Sequence, residues 1–146
     1  MSTSQQIDPR GPRFAAGITT VVLAVVLITS WWPLLAAQAV VFAAGALFGL
    51  RFSPYGALYR VTVQPRLGPA TEREDEAPPR FAQAVGFVFA VTGVIGYASG
   101  LTTLGIVATA AALLAAFLNV AFNFCLGCEA YLLIKRLGRP AGTQTT

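Results

Sequence analysis

Four uncharged, apolar stretches dominate the chain: roughly Phe14 to Trp32, Leu34 to Leu50, Phe81 to Ala98 and Leu101 to Phe124. A helix crossing the hydrocarbon core of a bilayer needs about 20 such residues, with a working range of about 17–25. All four stretches qualify, the second only just. Backbone amides and carbonyls cannot stay unpaired in lipid, so the spans must be helices or a closed barrel. No stretch alternates polar with apolar residues as barrel strands do. The pattern therefore predicts an all-α membrane protein with four transmembrane helices arranged as two helical hairpins. The links within the hairpins, Trp31-Trp32-Pro33 and Ser99-Gly100, are short and uncharged.

The two halves also resemble each other. Pro12-Arg13-Phe14-Ala15 recurs as Pro79-Arg80-Phe81-Ala82, each time at the start of a hairpin. Phe52-Ser53-Pro54-Tyr55-Gly56-Ala57-Leu58-Tyr59 aligns with Phe124-Cys125-Leu126-Gly127-Cys128-Glu129-Ala130-Tyr131. This predicts an internal two-helix repeat whose copies keep the same orientation. Ser53 and Gly56 stand where the second copy has Cys125 and Cys128. Proline suits a first helical turn, where its missing N–H costs nothing. The pairs Gly45/Gly49 and Gly96/Gly100 read as close-packing positions between helices.

Charge adds a direction to this pattern. All ten Lys and Arg lie before the first span, between the second and third, or after the fourth. The positive-inside rule then puts both termini and the central loop in the cytoplasm. Trp31, Trp32 and Tyr97 are expected in the outer aromatic belt, and Tyr55, Tyr59 and Tyr131 in the inner one. Residues 1–13 form a cytoplasmic segment, 14–50 the first hairpin, 51–80 a cytoplasmic loop, 81–137 the second hairpin and 138–146 a tail. Within the loop, Ser53 to Val63 is expected to lie along the surface as a short helix. Gln64 to Pro79, with Glu72, Glu74, Asp75 and Glu76, reads as a solvated linker. Ala37-Gln38-Ala39 resembles a signal-peptide cleavage site. The bulky Trp-Trp-Pro before it and the apolar stretch after it argue against cleavage.

Composition agrees: 55% of the 146 residues are hydrophobic and 11% charged, against about 25% charged in soluble domains. The absence of His excludes His-based triads, His general bases and His metal ligands. What remains is one reactive constellation. The only two cysteines form Cys125-Leu126-Gly127-Cys128, at the predicted cytoplasmic surface. The helix is expected to continue through the pair, from the fourth span to a stop at Gly138 and Pro140. Residues three apart on a helix face the same way, as CxxC redox chemistry requires. Gly127 would leave the thiols open to a partner and let the helix loosen. Glu129 shares a face with Cys125 and is a candidate proton acceptor, with Lys135 and Arg136 offsetting its charge or anchoring the inner surface. Asn119 and Asn123 would form a polar stripe joining helices.

Three functions remain open on these residues. One is a redox dithiol or persulfide carrier serving soluble thiol proteins. Another is a transporter or binder of a thiophilic metal or sulfur compound. The third is a non-catalytic membrane anchor. Whether the chain is an enzyme stays open. No cofactor is expected, and two thiolates alone do not complete a zinc or iron–sulfur site unless a second copy of the chain adds its own. Beyond the lipid bilayer, another copy is thus one conceivable partner; nucleic acid is not.

The chain resembles the bacterial membrane family known as domain of unknown function 4395. The resemblance rests on Asp8-Pro9-Arg10, Arg13-Phe14, Arg51 to Pro54, Arg80-Phe81, and the run Phe122-Asn123-Phe124-Cys125-Leu126-Gly127-Cys128-Glu129-Ala130-Tyr131. It covers roughly Ile7 to Leu137. Members occur beside thioredoxin-like and rhodanese-like sulfurtransferase proteins, so the resemblance implies a soluble partner of one of those kinds and a role in thiol redox or sulfur handling.

Overall fold

The computed structural model describes residues 6–7, 10–49, 54–67, 74–75, 77–122 and 124–138. The apolar stretches form α1 (Arg10–Thr29), α2 (Trp32–Phe48), α5 (Ala77–Ala98) and α6 (Thr102–Phe122). Between α2 and α5 lie α3 (Pro54–Leu58), a π-helical turn (Tyr59–Val63) and α4 (Gln64–Leu67). The chain ends in α7 (Leu126–Leu137). The stretch expected as a linker carries structure of its own: Glu74–Asp75 pairs antiparallel with Gln6–Ile7, as strands β2 and β1. α5 also starts earlier than the apolar run, taking Pro78 and Pro79 into its first turn. There their missing N–H groups leave no helical bond unmade. Tight turns join the helices, with Ser30 at φ 56° before α2 and Gly100 at φ 89° before α6.

Three helices, Arg10–Thr29, Ala77–Ala98 and Thr102–Phe122, are long and apolar enough to cross a membrane; the apolar helix Trp32–Phe48 has 17 residues. The core is small and central: Leu23, Val26, Leu35, Ala39, Phe42, Ala90 and Ala112, with Leu34, Val91, Val94, Tyr97 and Leu113 packed against it. Apolar side chains such as Ile28, Val40, Val88 and Val107 point outward. In water such a surface would associate; against lipid it is ordinary.

The helices are paired differently from two independent hairpins. α5 and α6 do pack closely together. α1 and α2 touch only lightly, and each packs mainly on a helix of the other half, α1 on α6 and α2 on α5. The starts of the two halves fasten these crossings. Arg13 at the start of α1 donates to the Val120 carbonyl near the end of α6, at 2.7 Å. Its counterpart Arg80, in the first turns of α5, donates to the Ala46 carbonyl at 2.8 and 3.1 Å and to that of Leu47 at 3.0 Å, near the end of α2. Each arginine thus satisfies carbonyls that a helix end leaves without partners. The next residues repeat too. Phe14 and Tyr59 stack with centroids 5.6 Å apart at 52°; Phe81 and Tyr131 do so at 5.7 Å and 51°.

The glycines match their sequence assignments in part. Gly45 and Gly96 do mark close approaches, to Gln83 and to the Gly105 backbone. Gly49 and Gly100 instead have positive φ at helix ends. Gly86 and Gly93 are the further places where α5 meets the side chains of α2. Tyr97 packs against the core with its hydroxyl buried. Tyr59 is buried against Phe14, and Tyr131 is held by Phe81. Trp31 and Trp32 are exposed at the uncharged end.

Gln38, the centre of the cleavage-like triplet, is a buried junction. Its Oε1 accepts from the Tyr55 hydroxyl at 2.6 Å, and its Nε2 donates to Thr19 Oγ1 at 3.5 Å. Burial pushes the Tyr55 phenol above its ordinary pKa, which keeps it a donor. One polar side chain thereby joins α1, α2 and α3. Tyr55→Phe leaves the Gln38 oxygen buried without a donor, and thermal unfolding in detergent should show a loss of about 1–3 kcal/mol. An unchanged melting profile would mean that the bond contributes nothing.

Candidate functional site

Cys125 and Cys128, joined as a disulfide in this structure, occupy a break in the helix. α6 ends at Phe122, the Phe124 N–H bonds back to the Leu118 carbonyl at 3.2 Å, and Cys125 is extended at φ −93°, ψ 108°. α7 then starts at Leu126 and stops, as the sequence indicates, at Gly138. This corrects the expectation of a helix running through the pair. Cys125 is the residue that caps α7. Its Sγ accepts the N–H of Cys128 at 3.1 Å, and its carbonyl accepts the N–H of Glu129 at 3.0 Å. Serine, threonine, aspartate and asparagine usually fill this position, because a side-chain acceptor satisfies an orphan N–H of the first turn. Here sulfur does so.

The geometry bears directly on reactivity. The positive end of the helix dipole and a donated N–H both favour a negatively charged sulfur at Cys125. The two sulfurs are at disulfide distance, with Cα atoms 5.1 Å apart. Both cysteines are half-buried, and Glu129 beside them is exposed. Glu129 lies in the first turn of α7. Lys135 does not reach back to the thiols; its Nζ lies 5.9 Å over the Tyr131 ring.

Gly127 has a role other than the one its smallness suggests. A Cβ on it would fall 2.5 Å from Ala82 Cβ and 2.6 Å from Ala82 Cα. The residue between the cysteines is therefore pressed onto the second turn of α5, and the adjacent Phe81–Tyr131 stack extends the contact. Ala82 is a site-forming residue that sequence reasoning missed. The repeated Arg-Phe-Ala at the start of each half was the available signal. Asn119 is part-buried in α6, while Asn123 lies outside the described residues, as does Ser53, the counterpart of Cys125. Among the described residues, no three His, Cys, Asp or Glu come together as a metal group.

The match to a family model decides the relationship. The model described as Domain of unknown function (DUF4395) matches residues 7–136. The chain belongs to this family. The matched region takes in all the membrane-length helices, the break at Cys125 and nearly all of α7. No curated protein and no solved structure matches the chain.

Proposed function

We propose that this DUF4395 member is a four-span protein of the bacterial inner membrane, with both termini cytoplasmic and with Cys125 and Cys128 as a working thiol pair at the cytoplasmic face. The pair exchanges electrons or sulfur with a soluble thiol protein. The observation that carries this reading is the capping geometry: Cys125 Sγ receives a helical N–H while lying at disulfide distance from Cys128.

The placement has its own support. Arg13 and Arg80 tie the starts of α1 and α5 to the ends of α6 and α2, so those four helix ends gather at one end of the bundle. Arg60, Arg66, Lys135 and Arg136 follow those same helix ends in sequence, and the opposite turns carry no charge. That is the asymmetry the positive-inside rule reads. α2, at 17 residues and 1.5 Å of rise each, extends about 25 Å, the lower limit for a span. The matched Arg and Phe–Tyr contacts of the two halves support an internal repeat, with the thiols in the second copy only.

The redox step balances as follows. The Cys125 thiolate attacks a disulfide of the partner and forms a mixed disulfide, releasing one partner thiolate. The Cys128 thiolate then attacks Cys125 Sγ and releases the second. The chain loses two electrons, and the partner gains them. Glu129 serves as a proton acceptor for the thiols. A rhodanese-like donor would instead leave its outer sulfur on Cys125 as a persulfide. A thioredoxin-like and a rhodanese-like protein are the partner classes that the family resemblance implies.

One experiment tests chemistry and orientation together. Inverted membrane vesicles and spheroplasts are equilibrated with graded reduced and oxidised dithiothreitol, then treated with a membrane-impermeant maleimide. Labelling of Cys125 and Cys128 in inverted vesicles should rise through one reversible two-electron transition, with none in spheroplasts. A pair that never changes state sinks the redox reading; labelling from outside sinks the orientation.

A further inference from the structure

We infer that α7 lies on the cytoplasmic lipid surface, which holds the dithiol at the boundary with its open side toward water. This rests on the membrane placement proposed above and is independent of the thiol chemistry. At 100° per residue, α7 has three faces. Gly127 and Tyr131 meet α5 through Ala82 and Phe81. Leu126, Ala130, Leu133 and Leu137, spaced i, i+4, i+7 and i+11, form a second face, and nothing among the described residues covers its leucines. Leu133 and Leu137 are 52% and 75% exposed. The third face carries Cys128, Glu129, Lys135 and Arg136, with Leu132 among them.

Two observations select lipid as the occupant of the apolar face. The face is continuous with the outward aromatics at the end of α6: Phe117, Phe122 and Phe124 are all exposed just before Leu126. A span that ends among exposed aromatics and passes at once into an exposed leucine stripe has not left the apolar medium. The neighbouring face supplies Lys135 and Arg136, which suit anionic headgroups beside a buried apolar stripe. Because Cys128 is on that polar third, the arrangement turns the pair away from the acyl chains. A soluble partner can then reach it only from the aqueous side.

The test places an environment-sensitive fluorophore at single sites of the full chain, in a Cys125→Ser/Cys128→Ser background. The sites are Leu133→Cys, Leu137→Cys, Glu129→Cys and Lys135→Cys. The chain is reconstituted in phosphatidylethanolamine–phosphatidylglycerol nanodiscs. Brominated acyl chains should remove most of the emission from sites 133 and 137 and leave 129 and 135 bright; aqueous iodide should do the reverse. Iodide quenching at 133 overturns the proposal, as does quenching of all four sites by bromolipid. Protection of 133 from both quenchers also overturns it, since protein would then cover the stripe. A benzophenone amino acid at Leu133 of the otherwise wild-type chain checks the result with the thiols intact. A crosslink to phospholipid supports the inference, and a crosslink only to protein overturns it. Failure here leaves the redox titration untouched, because neither readout depends on the chemistry of Cys125 or Cys128.

Discussion

A Cys128→Ser chain is expected to accumulate a mixed disulfide or persulfide through Cys125, whereas Cys125→Ser should trap almost nothing. The asymmetry follows from the cap. Cys125 Sγ accepts the Cys128 backbone N–H, a donor that the serine substitution leaves in place. Its attacking form is therefore stabilised even when its neighbour's sulfur is gone. Cys128 lies inside the first turn and is not itself the capping group. The thiolate is the reactive form of a cysteine, so the sulfur that receives the helical N–H is the better nucleophile of the two. Iodoacetamide should accordingly alkylate Cys125 in the Cys128→Ser chain several-fold faster than Cys128 in the Cys125→Ser chain. Mass spectrometry of the trapped species then separates the two chemistries. A disulfide to a protein dithiol indicates electron exchange, and an added sulfur atom on Cys125 indicates relay. Equal trapping by the two variants would show that the cap does not decide the order of attack; trapping only through Cys128 would reverse it.

The helices and their charged end were legible because each depends on a property of single segments. Long uncharged runs must bury their side chains in protein or lipid, and arginines placed at one set of ends need no knowledge of packing. The pairing of helices was not legible in the same way. Short links suggested two helical hairpins and said nothing of how they pack together, and α1 and α2 lean on different helices of the other half. Arg13 and Arg80 fasten that arrangement through carbonyls 107 and 34 residues away along the chain, a relation that no local pattern encodes. The repeat in the sequence held the clue, since both arginines occupy the same aligned position. Elimination singled out Cys125 and Cys128 as the candidate pair, but the helix break just before Leu126 was missed. Periodicity on either side of the break is equally apolar, and a cysteine is a rare cap. Gly127 was read as an open or flexible position because its contact, Ala82, lies 45 residues earlier in the chain.

Gly127→Ala therefore discriminates between two roles for the residue between the thiols. If Gly127 were there to keep the pair accessible, an added methyl would slow thiol exchange and leave folding alone. The structure predicts otherwise. The new Cβ would fall 2.5 Å from Ala82 Cβ and 2.6 Å from Ala82 Cα, and backbone cannot rotate away as a flexible side chain can. α7 must shift off α5, weakening the Phe81–Tyr131 stack beyond it. Overpacking of this kind costs about 1–3 kcal/mol, visible as a lower unfolding temperature of the chain in detergent. Displacement should also expose the dithiol, so alkylation of the reduced pair is expected to rise rather than fall. Ala82→Gly in the same chain removes the Cβ–Cβ clash but not the approach to the Ala82 backbone. The double variant should consequently recover part of the lost stability and not all of it. Wild-type stability combined with slowed thiol exchange in Gly127→Ala would return the glycine to an access role. Full recovery by Ala82→Gly would place the whole clash at the methyl groups and remove the backbone contact from the account of how α5 holds the dithiol helix.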